Sequence, residues 1–208
     1  MKPVVDYSVY LVTDRDCLCG RELLSCVEAA LRGGVTLVQL REKGACGREF
    51  FAEAEKLLAL CRRYGVPLII NDRSDIALAV GADGVHLGQD DLPLPQARRL
   101  LGEDSIIGIS VHSVEEARAA ETGGADYIGV GAVFLTGTKK DAKALGLARL
   151  RAIRAACRLP IVGIGGINAG NYADVREAGA QGAAIVSGIL SADDIEGEVR
   201  KIKGSTTL

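Results

Sequence analysis

The chain has 208 residues, 48% of them hydrophobic, enough for a large core. With 25 basic and 27 acidic residues the net charge is −2, so there is no basic excess to draw it to nucleic acid or to a membrane surface. Aromatic residues make up only 4% and tryptophan is absent, which excludes a broad stacking platform for single strands. No apolar run reaches the length of a membrane span. Acids come early in MKPVVDYSVYLVTDRD, unlike a secretory leader, and a cytoplasmic protein is expected.

In chain order, short β-type runs alternate with helical stretches. SVYLVT (8–13) precedes a helix over Glu22–Leu31, whose Leu23, Cys26, Val27, Ala30 and Leu31 recur at spacings of three and four. TLVQL (36–40) precedes a helix over Glu49–Tyr64 with Phe50, Ala54, Leu57, Leu58 and Cys61 on one stripe. PLII (67–70), GVHL (84–87), SIIGIS (105–110), YIGVG (127–131), PIVGIG (160–165) and AAIVS (183–187) follow, with helices expected over 74–80, 94–101, 114–122, 147–157, 171–178 and 193–202. Strands this continuously apolar are buried on both faces, the habit of a parallel sheet covered by helices. Eight such units in about 200 residues predict an α/β fold, a single (β/α)8 TIM barrel filling residues 1–208 as one domain. A doubly wound open sheet is the alternative. The glycines in GGV (33–35), GAD (81–83), GGAD (123–126) and AGAQG (178–182) each fall between a helix and a strand, where a left-handed cap is needed.

The cysteines (Cys17, Cys19, Cys26, Cys46, Cys61 and Cys157) show no C-x-x-C pattern and read as reduced thiols. A metal site on Cys17 and Cys19 is the lesser alternative. His86 and His112 are the only histidines, too few for a zinc site and each more simply read as structural.

In a barrel of this kind the active site is built where the strands end. The residues there are Gln39, Arg41, Glu42 and Lys43 after the second strand, Asn71 and Asp72 after the third, and Gln89, Asp90 and Asp91 after the fourth. Ser110 and His112 follow the fifth strand, and Thr136, Thr138, Lys139 and Lys140 the sixth. GIGGIN ends the seventh strand and VSG the eighth. Asp72 and Asp91, from neighbouring loops, suit a hard divalent cation that keeps positions open for phosphate oxygens. Alternatively each caps the helix that follows it. Arg41, Lys43 and Lys139 suit the anion, Thr136 and Thr138 add hydroxyls, and the glycine-rich turns after strands seven and eight suit a second phosphate.

Together these residues resemble the thiamine phosphate synthase family. The matching segments run in order along nearly the whole chain: YLVTDR (10–15), VQLREK (38–43), LIINDRSDIAL (68–78), GADGVHLGQDD (81–91), GISVHS (108–113), GADYIGVGAVFLTGTKKDA (124–142), PIVGIGGIN (160–168) and GAQGAAIVSGI (179–189). The resemblance implies a Mg²⁺-dependent transferase that joins hydroxymethylpyrimidine diphosphate to hydroxyethylthiazole phosphate and releases pyrophosphate through a carbocation-like state. It implies Asp72 and Asp91 as metal ligands. Arg41, Lys43, Asn71 and Lys139 would lie at the diphosphate, Gln39 at the pyrimidine and Ser110 by the departing pyrophosphate. Thr136, Thr138, Gly166, Val186 and Ser187 would lie on the thiazole phosphate side. Lys139, Ser110, Arg41 and Lys43 form the implied catalytic set. Small molecules are the expected partners, with no nucleic acid or membrane and with room for self-association. One departure is visible: the family pattern GPVFPT reads Gly131-Ala132-Val133-Phe134-Leu135-Thr136 here, without either proline. The alternatives are a thiazole tautomerase of the same fold, using His112 as acid and base, and a non-catalytic binding protein of the same pathway.

Overall fold

The computed structural model describes residues 4–135 and 146–205. Eight parallel strands close into a barrel in sequence order. They are β1 (Val9–Val12), β2 (Leu37–Leu40), β3 (Leu68–Asn71), β4 (Gly84–Leu87), β5 (Ile106–Val111), β6 (Tyr127–Gly131), β7 (Ile161–Ile164) and β8 (Gly182–Ile185), and β8 pairs back onto β1. The described helices are α1 (Leu23–Gly33), α2 (Gly47–Tyr64), α3 (Ser74–Val80), α4 (Leu94–Leu101), α5 (Val114–Thr122), α6 (Gly146–Ala156), α7 (Tyr172–Glu177), α8 (Ser187–Leu190) and α9 (Ile195–Gly204). The TIM barrel is therefore the fold, and the open sheet is excluded by the β1–β8 pairing.

Strand periodicity divides the core in two. Outward residues such as Leu11, Leu40, Ile70 and Val85 join the stripes of the surrounding helices, for example Val27, Leu57 and Ala77. Inward residues form a separate cluster of Tyr10, Val12, Leu37, Ile69, Ile106, Tyr127, Val162 and Ala184. The interior is a filled core rather than a pore. Gly108 makes room for the largest of these rings: a Cβ there would lie 2.1 Å from the Tyr127 ring.

The cap glycines behave as expected. Gly34 and Gly81 close α1 and α3 with φ of 105° and 68°, and Gly124 and Gly179 take φ of 83° and 101° just beyond α5 and α7. Many element ends shift by a residue or two from the sequence reading, and two features differ in kind. The last strand stops at Ile185, because Val186 (φ −107°, ψ −91°) leaves the extended region and Ser187 opens the short helix α8. A turn of 3-10 helix over Arg15–Cys17, held by the Asp14 side chain accepting from the Asp16 N–H, was also not foreseen. All of the cysteines are free thiols. Among the described residues no helix is long and apolar enough to cross a membrane.

Candidate active site

On β2 to β5 the inward phase carries polar side chains only near the C-terminal ends. Gln39 follows Leu37 on β2, Asn71 follows Ile69 on β3, His86 follows Gly84 on β4, and Ser110 follows Ile106 and Gly108 on β5. Above them opens a cavity of about 760 Å³. Gln39, Arg41, Lys43 and Asn71 line one side, Asp72, Asp91 and Ser110 the next, and Gly166, Val186 and Ser187 the far side. Thr136, Thr138 and Lys139 lie outside the described residues, as does Lys140.

Among the described residues Asp72 is one of two non-glycine residues with positive φ, at 62°. This left-handed backbone is tolerated by aspartate but costs about 1 kcal/mol or more. The turn is pinned by the Asp72 N–H donating to the His86 carbonyl at 2.9 Å, and Asp72 Oδ2 accepts from Lys43 Nζ at 2.7 Å. Asp91 Oδ2 accepts from the Gly88 N–H at 2.7 Å. The two carboxyl groups interact, and their titrations split. Burial pushes Asp72 up, but the bonds from Lys43 and Asp91 outweigh it and hold the carboxyl below its ordinary value. Burial and then the charge of Asp72 hold Asp91 above its own, against the Gly88 N–H. The capping alternative fails for both: α3 is preceded by Arg73 and α4 by Pro93, neither with a side-chain cap. This carboxyl pair is where a divalent cation could be held. Among the described residues no three His, Cys, Asp or Glu converge, so the lesser alternative on Cys17 and Cys19 finds no ligand set.

The Arg41-Glu42-Lys43 run is not a solvated charge run. Arg41 and Lys43 face the cavity, whereas the Glu42 side chain is only 3% exposed and turns outward between Arg15 and Glu53. Arg15 Nε donates to Glu42 Oε2 at 2.8 Å and its Nη2 pairs with Glu53. Arg41 is braced twice: its N–H donates to Thr13 Oγ1 at 2.9 Å, and its guanidinium pairs with the buried carboxylate of Asp14. The sequence reading did not single out Asp14, whose partner lies 27 residues along the chain.

On the cavity floor Tyr10, Tyr127 and His86 link Gln39 to Ser110 through hydrogen bonds of 2.6–2.9 Å. Neither tyrosine stood out in the sequence, although both fall on the inward phase of a strand. His112 lines the mouth of the cavity, but its Nδ1 lies 3.3 Å from Glu116 Oε2, the carboxylate that also accepts the His112 N–H at 2.6 Å. After β7, Gly165 and Gly166 take φ of 102° and 64°, and a Cβ on Gly166 would lie 2.5 Å from the Leu135 carbonyl. Only glycine lets those two segments meet. The Gly131–Ala132 peptide, where the family pattern has its first proline, is cis.

Comparison with known proteins identifies the family. The family model described as thiamine monophosphate synthase matches residues 9–189. A thiamine-phosphate synthase of Syntrophomonas wolfei is 57% identical over 199 residues, 95% of each chain. One from Clostridium acetobutylicum is 54% identical over 196 residues, 94% of this chain and 93% of that one. The solved structure of a thiamine phosphate pyrophosphorylase from Pyrococcus furiosus superposes with a TM-score of 0.89 at 39% identity, covering 96% of this chain and 95% of that one. By its motifs, its barrel and these full-length matches, the chain belongs to the thiamine monophosphate synthase family.

Proposed function

We propose that this chain is a Mg²⁺-dependent thiamine-phosphate synthase of the cytoplasm, joining hydroxymethylpyrimidine diphosphate to hydroxyethylthiazole phosphate with release of pyrophosphate. The observation that carries the reading is the Asp72–Asp91 carboxyl pair flanked by Lys43 and Arg41 at the mouth of one cavity, in a chain more than half identical to proteins of that name.

The donor set fits Mg²⁺, which takes one or two carboxylates and fills its remaining positions with water and phosphate oxygens. The split titration of the pair points the same way: two carboxyls held together resist double ionisation until a cation joins them. Bound between Asp72 and Asp91, the ion would neutralise charge on the diphosphate.

The residues of the chain supply the rest. Breaking the bond between the pyrimidine methylene and its diphosphate puts negative charge on the leaving group and positive charge on the ring, and the thiazole nitrogen then attacks the methylene. No strong base is needed. Arg41, held rigid by Asp14 and Thr13, and Lys43 supply fixed positive charge where pyrophosphate departs, with Lys139, Asn71 and Ser110 as further donors. Gln39 orients the pyrimidine. Thr136, Thr138, Gly166, Val186 and Ser187 hold the thiazole phosphate.

The test is pyrophosphate release from hydroxymethylpyrimidine diphosphate with and without thiazole phosphate and Mg²⁺. Release that requires both, with thiamine phosphate formed in equal amount, is expected. Turnover of thiazole alone, with no pyrophosphate released, would overturn the reading in favour of a tautomerase.

A further inference from the structure

A chain of five hydrogen-bonded side chains crosses the barrel interior, and three of its members have no part in the chemistry above. Gln39 Nε2 donates to Tyr10 Oη at 2.6 Å. The Tyr10 and Tyr127 hydroxyls lie 2.8 Å apart. Tyr127 Oη lies 2.9 Å from His86 Nδ1, and His86 Nε2 lies 2.9 Å from Ser110 Oγ. Both tyrosines are fully buried, so each hydroxyl proton needs an acceptor within the barrel. The wall is cut back to seat the two rings that follow Tyr10. A Cβ on Gly108 would lie 2.1 Å from the Tyr127 ring, and one on Gly129 would lie 3.1 Å from His86 Cε1.

Counting protons gives the chain one direction. The Gln39 amide nitrogen can only donate. Tyr10 therefore accepts at that end, and its single proton goes to Tyr127. Tyr127 then gives its own proton to His86 Nδ1. An imidazole that accepts at Nδ1 carries its proton at Nε2, and that proton goes to Ser110 Oγ. With the Gln39 amide nitrogen at Tyr10 Oη, the reverse direction would leave the Tyr10 proton without an acceptor in the buried interior, which native structures avoid; turning the amide would reverse the whole chain. At the two ends, Ser110 keeps its own proton to donate into the cavity, and Gln39 keeps its carbonyl oxygen as an acceptor.

We infer that Tyr10, Tyr127 and His86 are positioning residues that lock Gln39 as an acceptor and Ser110 as a donor toward the substrate. The inference rests on the reading of the cavity as the diphosphate site. The Gln39 end selects a ring that offers a hydrogen-bond donor, such as an exocyclic amine, over one that offers a carbonyl. The Ser110 end suits an oxygen of the departing pyrophosphate. Neither end can exchange its role without reversal of the whole chain, so the two selections are coupled.

The test is ¹⁵N NMR of the full chain at a pH where imidazole is neutral. With only two histidines, His112→Gln assigns the His86 signals. His86 is expected as the Nε2–H tautomer. In Tyr127→Phe, Nδ1 loses its donor, the tautomers mix, and kcat for pyrophosphate release falls about tenfold with a smaller change in KM. In Tyr10→Phe the Tyr127–His86 bond survives and the tautomer stays. The Gln39 amide is then free to turn, and the preference for an amino- over an oxo-pyrimidine diphosphate falls about tenfold. An Nδ1–H tautomer in the wild type would overturn the inference. So would a folded Tyr127→Phe with unchanged tautomer and unchanged kcat. The wild-type spectrum decides the direction of the chain even if Tyr127→Phe does not fold. It does so too if the wild type releases no pyrophosphate, a result that would sink the functional reading alone.

Discussion

The two faces of the barrel wall are built from alternate residues of the same eight strands, yet they are different materials. The outer face is apolar from end to end, with Leu11, Leu40, Ile70 and Leu87 packed against the helices. The inner face is apolar only at its base, through Leu37, Ile69 and Ile106, and becomes Gln39, Asn71, His86 and Ser110 at the rim. What the outer face contributes is stability, about 25 cal/mol for each Å² of apolar surface removed from water. The rim gives some of that back. Asp72 sits in a left-handed backbone, and two carboxyls are pressed together. Such groups are held there by the fold around them.

If the division is real, rate and stability should separate by face. The largest effect is expected at the rim: Asp72→Ala and Lys43→Ala should each lower turnover about a hundredfold or more at saturating substrate, with little change in melting temperature. Steady-state pyrophosphate release checks this, and near-normal rates in both would undo the residue assignments. In α2, packed against the outer face, Leu57→Ala should cost about 2–5 kcal/mol of stability, read from urea unfolding, and leave kcat per folded molecule unchanged. Cys61→Ala should be a smaller version of the same, about 1 kcal/mol. Burial raises that thiol to about 12, so it is a neutral packing group, and a large rate loss at unchanged stability would contradict this.

The smallest effect sharpens the comparison most. The carboxyl of Asp91 is raised in the fold, so its ionisation opposes folding at neutral pH. Whatever stability it contributes is present below its unfolded value and lost as pH rises through its folded one. Asp91→Asn, without ligands, should therefore melt at the same temperature as the wild type or slightly above it at neutral pH. That advantage should fade as pH falls through the carboxylate range. Melting curves across that range check the sign, and a lower melting temperature for the variant at neutral pH would refute it.

Much of the site was legible because the rim residues sit in short polar segments at the ends of apolar runs, as in VQLREK and LIIND. What stayed hidden was relational. Both faces of each strand are buried, so alternation did not mark which residues point inward, and Tyr10 and Tyr127 looked like any core aromatics. His86 reads as an isolated histidine until β4, β5 and β6 place Ser110 and Tyr127 on either side of its ring. Asp14 draws no notice in the sequence, and Glu42 stands with the strand-end residues, until Arg41 and Arg15 close on them. The VSG segment was read as the end of a strand, whereas Ser187 begins a helix, since a turn of four residues is too short to carry a periodic signal.

The sequence by itself determined the eightfold alternation, the helix stripes with their left-handed glycine caps, and the residue types at the strand ends. Those are local properties, set by periodicity and by backbone preferences over a few residues. Tertiary structure alone decided that the carboxyls of Asp72 and Asp91 interact, that Glu42 turns away from Arg41 and Lys43, and that Tyr10, Tyr127 and His86 line up between Gln39 and Ser110. Each of those facts depends on groups far apart in the chain being brought together, and only the packing of the barrel does that.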